Sequence, residues 1–155
     1  MNQPTLIVLR HGHAVARDDW KGADRDRPLR NVGRQQATAL VAVAREHAIA
    51  RVISSPATRC VQTVAPLLVG AEARIELLPG LGEDATAAQY AVAVEVVLGL
   101  LQSDRNALVC SHRPVLPGLF EELATASGIT PPVEPLRPGE YIVISGTNPV
   151  IRGRS

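Results

Sequence analysis

Short runs of apolar residues recur along the chain, separated by longer stretches of mixed character. The runs are rich in Val, Ile and Leu and have the length of strands in a buried sheet. The pattern predicts five strands, at residues 5–9, 51–54, 73–77, 106–110 and 141–145. Val150-Ile151 would continue the last of these strands.

Helical patterns lie between these strands. In residues 33–48 the apolar positions recur every three or four residues, with charged residues on the other side. Ser55-Pro56 predicts an N-cap and a first helical residue, which places Arg59 in the first turns of a second helix. Residues 86–103 are apolar almost all round and long enough for a buried helix, and residues 116–126 predict a fourth. The alternation predicts an α/β fold of three layers, with a mostly parallel central sheet and helices on both faces.

Composition narrows the class of protein further. The 155 residues suit one domain, taken as residues 1–155, and 3% aromatic content requires an aliphatic core. A formal net charge of +1 argues against a nucleic acid polymer or a membrane surface as partner. Cys60 and Cys110 lack metal-like spacing and predict reduced core thiols. Because the N-terminal apolar run is too short for a signal peptide or transmembrane helix, the sequence predicts a cytoplasmic protein.

Reactive side chains follow the carboxyl ends of the predicted strands. Arg10 and His11 follow the first strand, Arg59 the second, Glu83 the third and His112 the fourth. Ligands of open α/β sheets bind at this edge of the sheet. Two imidazoles and two guanidiniums at one edge predict a local site for an anion.

These residues and the motifs around them resemble the histidine phosphatase superfamily, also called phosphoglycerate-mutase-like. The ordered set spans nearly the whole chain: Leu9-Arg10-His11-Gly12, Arg27-Pro28-Leu29, Gly33, Gln36-Ala37, Ser54-Ser55-Pro56, Arg59, Gln62-Thr63, Glu83 and residues 109–112. The resemblance implies a phosphoglycerate-mutase-like fold and a phosphohistidine intermediate on His11. It further implies that Arg10, Arg59 and His112 bind the phosphate and that Glu83 donates a proton. No metal and no cofactor are implied.

Within that superfamily the short chain looks like the small branch that includes the phosphohistidine phosphatases. Trp20-Lys21-Gly22, Asp24 and residues 110–117 look closer still to the phosphatase domain fused to a Nudix domain in actinobacterial nucleotide-sanitising proteins. No Nudix motif is present in the sequence. The pyrophosphohydrolase activity of a Nudix domain is therefore not expected here.

The resemblance leaves the substrate open. Phosphorylated small molecules, nucleotides and phosphohistidine proteins are all implied, with selection expected in loops at residues 13–32, 80–90 and 128–138. In the first of these loops, Arg17 and Lys21 are weaker candidates for contacts to a second phosphate or to a leaving group. Ordinary solvated loop charges are the alternative for both.

The residue types suit phosphoryl transfer, which needs a placed nucleophile and positive charge around the phosphate oxygens. Arginine binds these oxygens in pairs and stays charged. We expect Arg10 and Arg59 to repel a proton from His11, which keeps the attacking nitrogen free. We expect Glu83 to lie in a partly apolar setting, as suits a proton donor.

Three rival classes compete with this prediction. A metal-dependent hydrolase is disfavoured because HxH, HExxH and carboxylates at ligand spacing are absent from the sequence. A cysteine phosphatase is disfavoured because neither Cys60 nor Cys110 has an arginine at the required offset. A catalytically silent phosphate- or nucleotide-binding regulatory module stays open. Glu83 argues against such a module, because a binder needs no proton donor.

Overall fold

Strands and helices alternate along the described residues, 3–71, 73–146 and 151–155, of this computed structural model. The strands are β1 (Thr5–Arg10), β2 (Arg51–Ser54), β3 (Ile75–Leu77), β4 (Ala107–Ser111), β5 (Glu140–Ser145) and β6 (Ile151–Arg154). The helices are α1 (Asn31–Glu46), α2 (Thr58–Val64), α3 (Ala87–Leu100) and α4 (Leu116–Ser127). Short 3-10 turns lie at Arg17–Asp19, Asp24–Asp26, Ala65–Leu68 and Pro79–Leu81. The strands form one sheet in the order β3-β2-β4-β1-β5-β6.

The strand directions confirm the predicted three-layer α/β fold. β3, β2, β4 and β1 run parallel to one another. At one side of the sheet, β5 pairs antiparallel with β1, and β6 pairs antiparallel with β5. Along β1, Ile7 and Leu9 pack with α1 and α2, whereas Leu6 and Val8 pack with α3 and α4. Because successive side chains of a strand point to opposite faces, the four apolar residues in the middle of β1 fill both cores at once.

The start of α2 differs from the prediction. The helix begins at Thr58 with Ala57 at the N-cap, so the predicted cap at Ser55 and first helical residue at Pro56 are wrong. Ser55 Oγ instead accepts a hydrogen bond from the Ala57 N–H at 3.2 Å and lies 2.8 Å from His112 Nε2. The Ser55 hydroxyl therefore contacts both the turn before α2 and the His112 imidazole. Arg59 lies in the first turn of the helix, as predicted.

α3 packs on the sheet with one face only, so the predicted all-round burial is wrong. It buries Ala93, Val97 and Leu100, while Val92 is 53% exposed. Apolar content predicted the helix correctly, but burial depends on which faces neighbouring elements cover, and α3 is an outer layer. None of the helices in the described part of the chain is long and apolar enough to cross a membrane.

The two ends of the chain hold further differences. Ile151 begins a separate strand that pairs antiparallel with Val143 of β5, rather than continuing β5; Val150 lies outside the described residues. The predicted loop at residues 13–32 contains two 3-10 turns and a bridge between Ala14 and Leu29. The turns and the bridge order the segment that follows His11.

The parallel strands end together at one edge of the sheet. Arg10 lies opposite Ser111, and Ser54 lies opposite Cys110. Beyond the strands, the N–H of His11 donates to the Ser111 carbonyl at 3.1 Å, and the N–H of Ser55 donates to the Cys110 carbonyl at 3.0 Å. The residues after β1, β2 and β4 therefore leave from one place, which is the geometry that the predicted anion site requires.

Candidate active site

His11 is buried directly beyond β1, with only 6% of its surface exposed. Its Nδ1 lies 2.7 Å from the carbonyl oxygen of Gly12. Because a carbonyl only accepts hydrogen bonds, Nδ1 carries the hydrogen and Nε2 keeps its lone pair. The ring stands edge-on to that of His112, with 5.3 Å between the ring centroids. His11 therefore presents a free nitrogen beside the second histidine.

The environment of His11 lowers its pKa from 6.5 to about 3. Burial is the largest cause, and the charges of His112, Arg59 and Arg10 act in the same direction, against the hydrogen bond to Gly12. The direction agrees with the prediction from sequence, but desolvation contributes more than the arginines do. An imidazole held neutral in this way is available as a nucleophile throughout the neutral range.

The low pKa of His11 predicts a pH dependence of stability. Between pH 6.5 and about 3 the unfolded chain binds a proton at this ring that the folded chain does not, so stability must fall as pH decreases. We expect the His11→Gln variant to lose this contribution, up to about 1.4 kcal/mol for each pH unit. Urea unfolding of both proteins from pH 7 to pH 4 measures it. Parallel curves for the two proteins would contradict the burial argument.

Arg59 is held from two sides in the first turn of α2, and 1% of its side chain is exposed. Its Nη1 donates to the backbone carbonyl of Asp24 at 2.9 Å, and its Nη2 donates to Asp24 Oδ2 at 3.1 Å. Nη2 also donates to Glu83 Oε1 at 3.2 Å. Sequence reasoning missed the contact with Asp24. The available signal was the presence of carboxylates in the loop that follows His11.

Arg10 and His112 approach the site from β1 and β4. Arg10 Nη1 donates to the Leu136 carbonyl at 2.9 Å, and the pKa of Arg10 is lowered by burial and by the charge of Arg113. His112 is fully buried, with Nε2 2.8 Å from Ser55 Oγ. If the Ser55 hydroxyl donates to Nε2, Nδ1 carries the ring hydrogen and directs it toward the site.

Three buried nitrogen atoms at this site have no hydrogen-bond partner. They are Arg10 Nε, Arg59 Nε and His112 Nδ1, and within the described residues no other buried side-chain nitrogen or oxygen lacks one. His112 Nδ1 lies 3.3 Å from Glu83 Oε1, but not in hydrogen-bond geometry. Leaving a buried donor unpaired costs about 1–3 kcal/mol, so such atoms in a native protein require an explanation. All three belong to the residues predicted to bind phosphate. An oxyanion only accepts hydrogen bonds, so it is a suitable partner for unpaired donors of this kind.

Glu83 lies just after the 3-10 turn Pro79–Leu81, among cations rather than in the partly apolar setting predicted for it. Oε1 lies 3.2 Å from Arg59 Nη2 and 3.3 Å from His112 Nδ1, and Oε2 lies 3.1 Å from Arg17 Nη2. Its side chain is 24% exposed. A side chain at Gly80 would overlap the Gln89 carbonyl, so glycine lets this turn pack directly on α3 and fixes where Glu83 lies.

An open cleft of about 700 Å³ lies beside these residues. Its wall includes Asp24, Arg59, Glu83 and His112. His11 and Arg10 do not line it, although the His11 ring packs on His112, which does. The cleft therefore gives access from solvent to the carboxylate of Glu83 and to His112, on which the His11 ring packs.

The two weaker candidates in the loop at residues 13–32 differ in their position relative to the site. Arg17 reaches the site, since it contacts Glu83 and lies 3.8 Å from Asp24 Oδ1, with 65% of its side chain exposed. Lys21 is exposed, and among the described residues it has no hydrogen-bond or ion-pair partner. The structure brings Arg17 to the site and does not bring Lys21 there.

Both cysteines are free and buried, as predicted. Sequence reasoning did not foresee that Cys60 Sγ lies 3.5 Å from His112 Nε2. Across the described part of the chain, no three His, Cys, Asp or Glu side chains are grouped so that they could hold a metal ion. The polar groups that meet at this edge of the sheet are the guanidiniums of Arg10, Arg17 and Arg59, the two imidazoles, the carboxylates of Asp24 and Glu83, and the Cys60 thiol.

Fold and site together indicate the histidine phosphatase superfamily, and comparison with known proteins shows the same family. Residues 6–88 match the histidine phosphatase superfamily, branch 1, and the chain belongs to this superfamily. It is similar to an 8-oxo-(d)GTP phosphatase of Mycolicibacterium smegmatis, with 35% identity over 141 residues. That alignment covers 91% of this chain but only 44% of the relative.

Two solved structures show the same fold at low sequence identity. The protein histidine phosphatase SixA, complexed with tungstate, superposes with a TM-score of 0.69 at 20% identity, covering 96% of this chain and 94% of the other. The mycobacterial glucosyl-3-phosphoglycerate phosphatase superposes with a TM-score of 0.68 at 18% identity, covering 94% and 91%. The phosphoglycerate-mutase-like fold predicted from sequence is confirmed.

Proposed function

We propose that this chain is a metal-independent phosphatase that carries the phosphoryl group on His11. The observation that supports this best is the set of three unpaired buried donors, Arg10 Nε, Arg59 Nε and His112 Nδ1, next to a neutral imidazole. The two guanidiniums supply the positive charge that phosphoryl transfer needs around the equatorial oxygens, and His112 Nδ1 adds a hydrogen-bond donor. We further propose that residues 1–155 act as one histidine phosphatase domain. Free thiols at Cys60 and Cys110 suit a reducing compartment such as the cytoplasm.

In the first step His11 Nε2 attacks phosphorus, and the bond from phosphorus to the leaving oxygen or nitrogen breaks. Arg10, Arg59 and His112 donate hydrogen bonds to the non-bridging oxygens, which gather charge in the transition state. Glu83, in its protonated form, transfers a proton to the leaving atom and becomes a carboxylate. The products are a neutral leaving group, which departs through the cleft, and a phosphohistidine.

In the second step a water molecule attacks the same phosphorus, and the bond between phosphorus and Nε2 breaks. Glu83 accepts the proton that the water loses, so that it is again ready to act as an acid. Inorganic phosphate leaves, and His11 returns to its neutral form with the hydrogen still on Nδ1. The Gly12 carbonyl holds this tautomer throughout the cycle.

The present position of Glu83 is consistent with that role. Its Oε1 lies near Arg59 Nη2 and His112 Nδ1, two donors that a phosphate would use. A phosphate that binds them takes over these contacts and moves the carboxylate toward the cleft, where the leaving group must be. Arg17, which contacts the other carboxylate oxygen, is placed to follow it or to contact the leaving group.

Turnover of p-nitrophenyl phosphate tests the proposed function. We expect the purified protein to release p-nitrophenol over many cycles and to keep its rate in the presence of a metal chelator. Loss of the rate in chelator, restored by a divalent metal, would contradict the metal-independent mechanism. Binding of phosphate without product release would instead support a catalytically silent regulatory module.

The size of the cleft and the similarity to a known enzyme both bear on the substrate class. The relative from M. smegmatis is an 8-oxo-(d)GTP phosphatase, but this chain spans under half of its length. A cleft of about 700 Å³ has the size of a small-molecule site, which favours a nucleotide or another phosphorylated small molecule over a phosphohistidine protein. Comparing kcat/KM across these three classes decides among them, and a clear preference for a phosphohistidine protein would contradict this ranking.

A further inference from the structure

Asp24 lies at the centre of a charged network that the mechanism above does not use. Its Oδ2 is bound by Arg59 Nη2 and its Oδ1 by Arg27 Nε, each at 3.1 Å. Burial acts to raise the pKa of Asp24, but Arg27, Arg59 and Arg17 outweigh it, so that the pKa is lowered. The carboxylate is thus an anion with a different arginine on each oxygen.

Asp24 contacts both terminal nitrogens of the Arg59 guanidinium. Its backbone carbonyl accepts from Nη1 and its carboxylate accepts from Nη2, so a single residue provides an acceptor for each of them. Nη2 also donates to Glu83, and Nε has no partner. Asp24 therefore leaves Nε available to a phosphate.

Asp24 is itself anchored by a buried arginine. Arg27 is buried, and besides Asp24 it binds the Val15 carbonyl through Nη1 at 2.6 Å. Val15 in turn donates to the Pro28 carbonyl at 2.9 Å, within the loop that follows the nucleophile. These hydrogen bonds order the loop from His11 to Asp24. Because Asp24 contacts Arg59, the orientation of Arg59 depends on the same loop that begins at His11.

We propose that Asp24 is the positioning residue of Arg59, which it orients so that Nε faces the phosphate. The inference rests on the proposed function, since it takes Arg59 to be a phosphate ligand. An arginine side chain samples many rotamers when free, and fixing it before the substrate arrives removes that entropy cost from the binding step. Asp24 does not compete with the phosphate for Nε, because it contacts only Nη1 and Nη2.

A double-mutant cycle tests this role. We expect Asp24→Ala to lower kcat/KM by about 10- to 100-fold in the wild-type background, as expected for a displaced catalytic group. In the Arg59→Ala background, the same change should alter kcat/KM by less than about twofold, because no guanidinium remains to be oriented. Asp24→Asn keeps an oxygen for Nη2 and should recover part of the loss. Asp26→Ala is the control, since Asp26 lies exposed in the same turn.

Equal losses in the two backgrounds would overturn the proposal, because a structural role of Asp24 does not depend on Arg59. A faster or tighter-binding Asp24→Ala variant would also overturn it, since Asp24 would then be a competitor of the phosphate. Should Arg59→Ala fail to fold, Arg59→Met, which keeps the aliphatic part of the side chain, provides the second background.

The same double-mutant cycle, measured as the affinity for inorganic phosphate by calorimetry, separates this inference from the proposed function. If the wild type binds phosphate but turns over no substrate, the proposed function fails, and the cycle on phosphate affinity still tests Asp24. We expect Asp24→Ala to weaken phosphate binding in the wild-type background alone. Equal weakening in both backgrounds, or none in either, would overturn the positioning role.

Discussion

Replacing His11 with alanine is expected to lower kcat by about 10⁴-fold or more, on the scale seen when an enzyme loses its covalent nucleophile. Alanine removes Nε2, which is the atom that we propose forms the bond to phosphorus. Arg10, Arg59 and His112 remain, so the variant should still bind phosphate. Steady-state turnover of p-nitrophenyl phosphate measures the first effect, and calorimetry with inorganic phosphate measures the second.

His47→Ala provides the control for this experiment, because His47 lies at the end of α1, away from the site. It should retain the wild-type rate. Circular dichroism and thermal unfolding of both variants establish that the fold is intact. A His11→Ala protein that turns over at the wild-type rate would contradict the covalent role of His11.

Replacing Glu83 with glutamine is expected to lower kcat by about 10²- to 10³-fold for alkyl phosphates, whose leaving oxygen must be protonated. Glutamine keeps the shape of the side chain and an oxygen for Arg59, but it cannot deliver a proton. For p-nitrophenyl phosphate the loss should be much smaller, because p-nitrophenolate departs without a proton. The dependence of the loss on the leaving group is the measured signature of a general acid.

Asp84→Asn is the matched control for Glu83, since Asp84 is the neighbouring carboxylate on the wall of the same cleft. We expect it to leave kcat unchanged for both kinds of substrate. Equal losses for alkyl and p-nitrophenyl phosphates in Glu83→Gln would show that Glu83 supports the site electrostatically and does not transfer a proton.

Much of the site could be predicted because the parallel sheet itself brings the residues together. Arg10, His11 and His112 directly follow strands whose ends are in register, so their meeting depends only on strand order. Arg59 lies in the first turn of the helix after β2 and shares this origin. Local pattern and the rule for α/β sheets were sufficient for these four residues.

The remaining features depend on contacts that no local pattern encodes. Asp24 meets Arg59 across 35 positions in sequence, through a loop whose path is set by the Ala14–Leu29 bridge and the buried Arg27. The main cause of the low pKa of His11 is also not encoded locally. It is desolvation, which depends on all the groups that surround the ring in three dimensions and not only on charges nearby in sequence. The all-round burial predicted for α3 failed for the same reason, since composition does not tell which faces are covered.

The central claim is that His11 carries the phosphoryl group, and locating that group on the protein tests it most directly. The protein is mixed with substrate, quenched in alkaline denaturant, which preserves phosphohistidine, and digested for tandem mass spectrometry. We expect the added phosphate on His11 in the wild-type protein and in Glu83→Gln, and none in His11→Ala. Phosphate on His112 or Cys60, or rapid turnover with no phosphorylated residue at any time, would contradict the account.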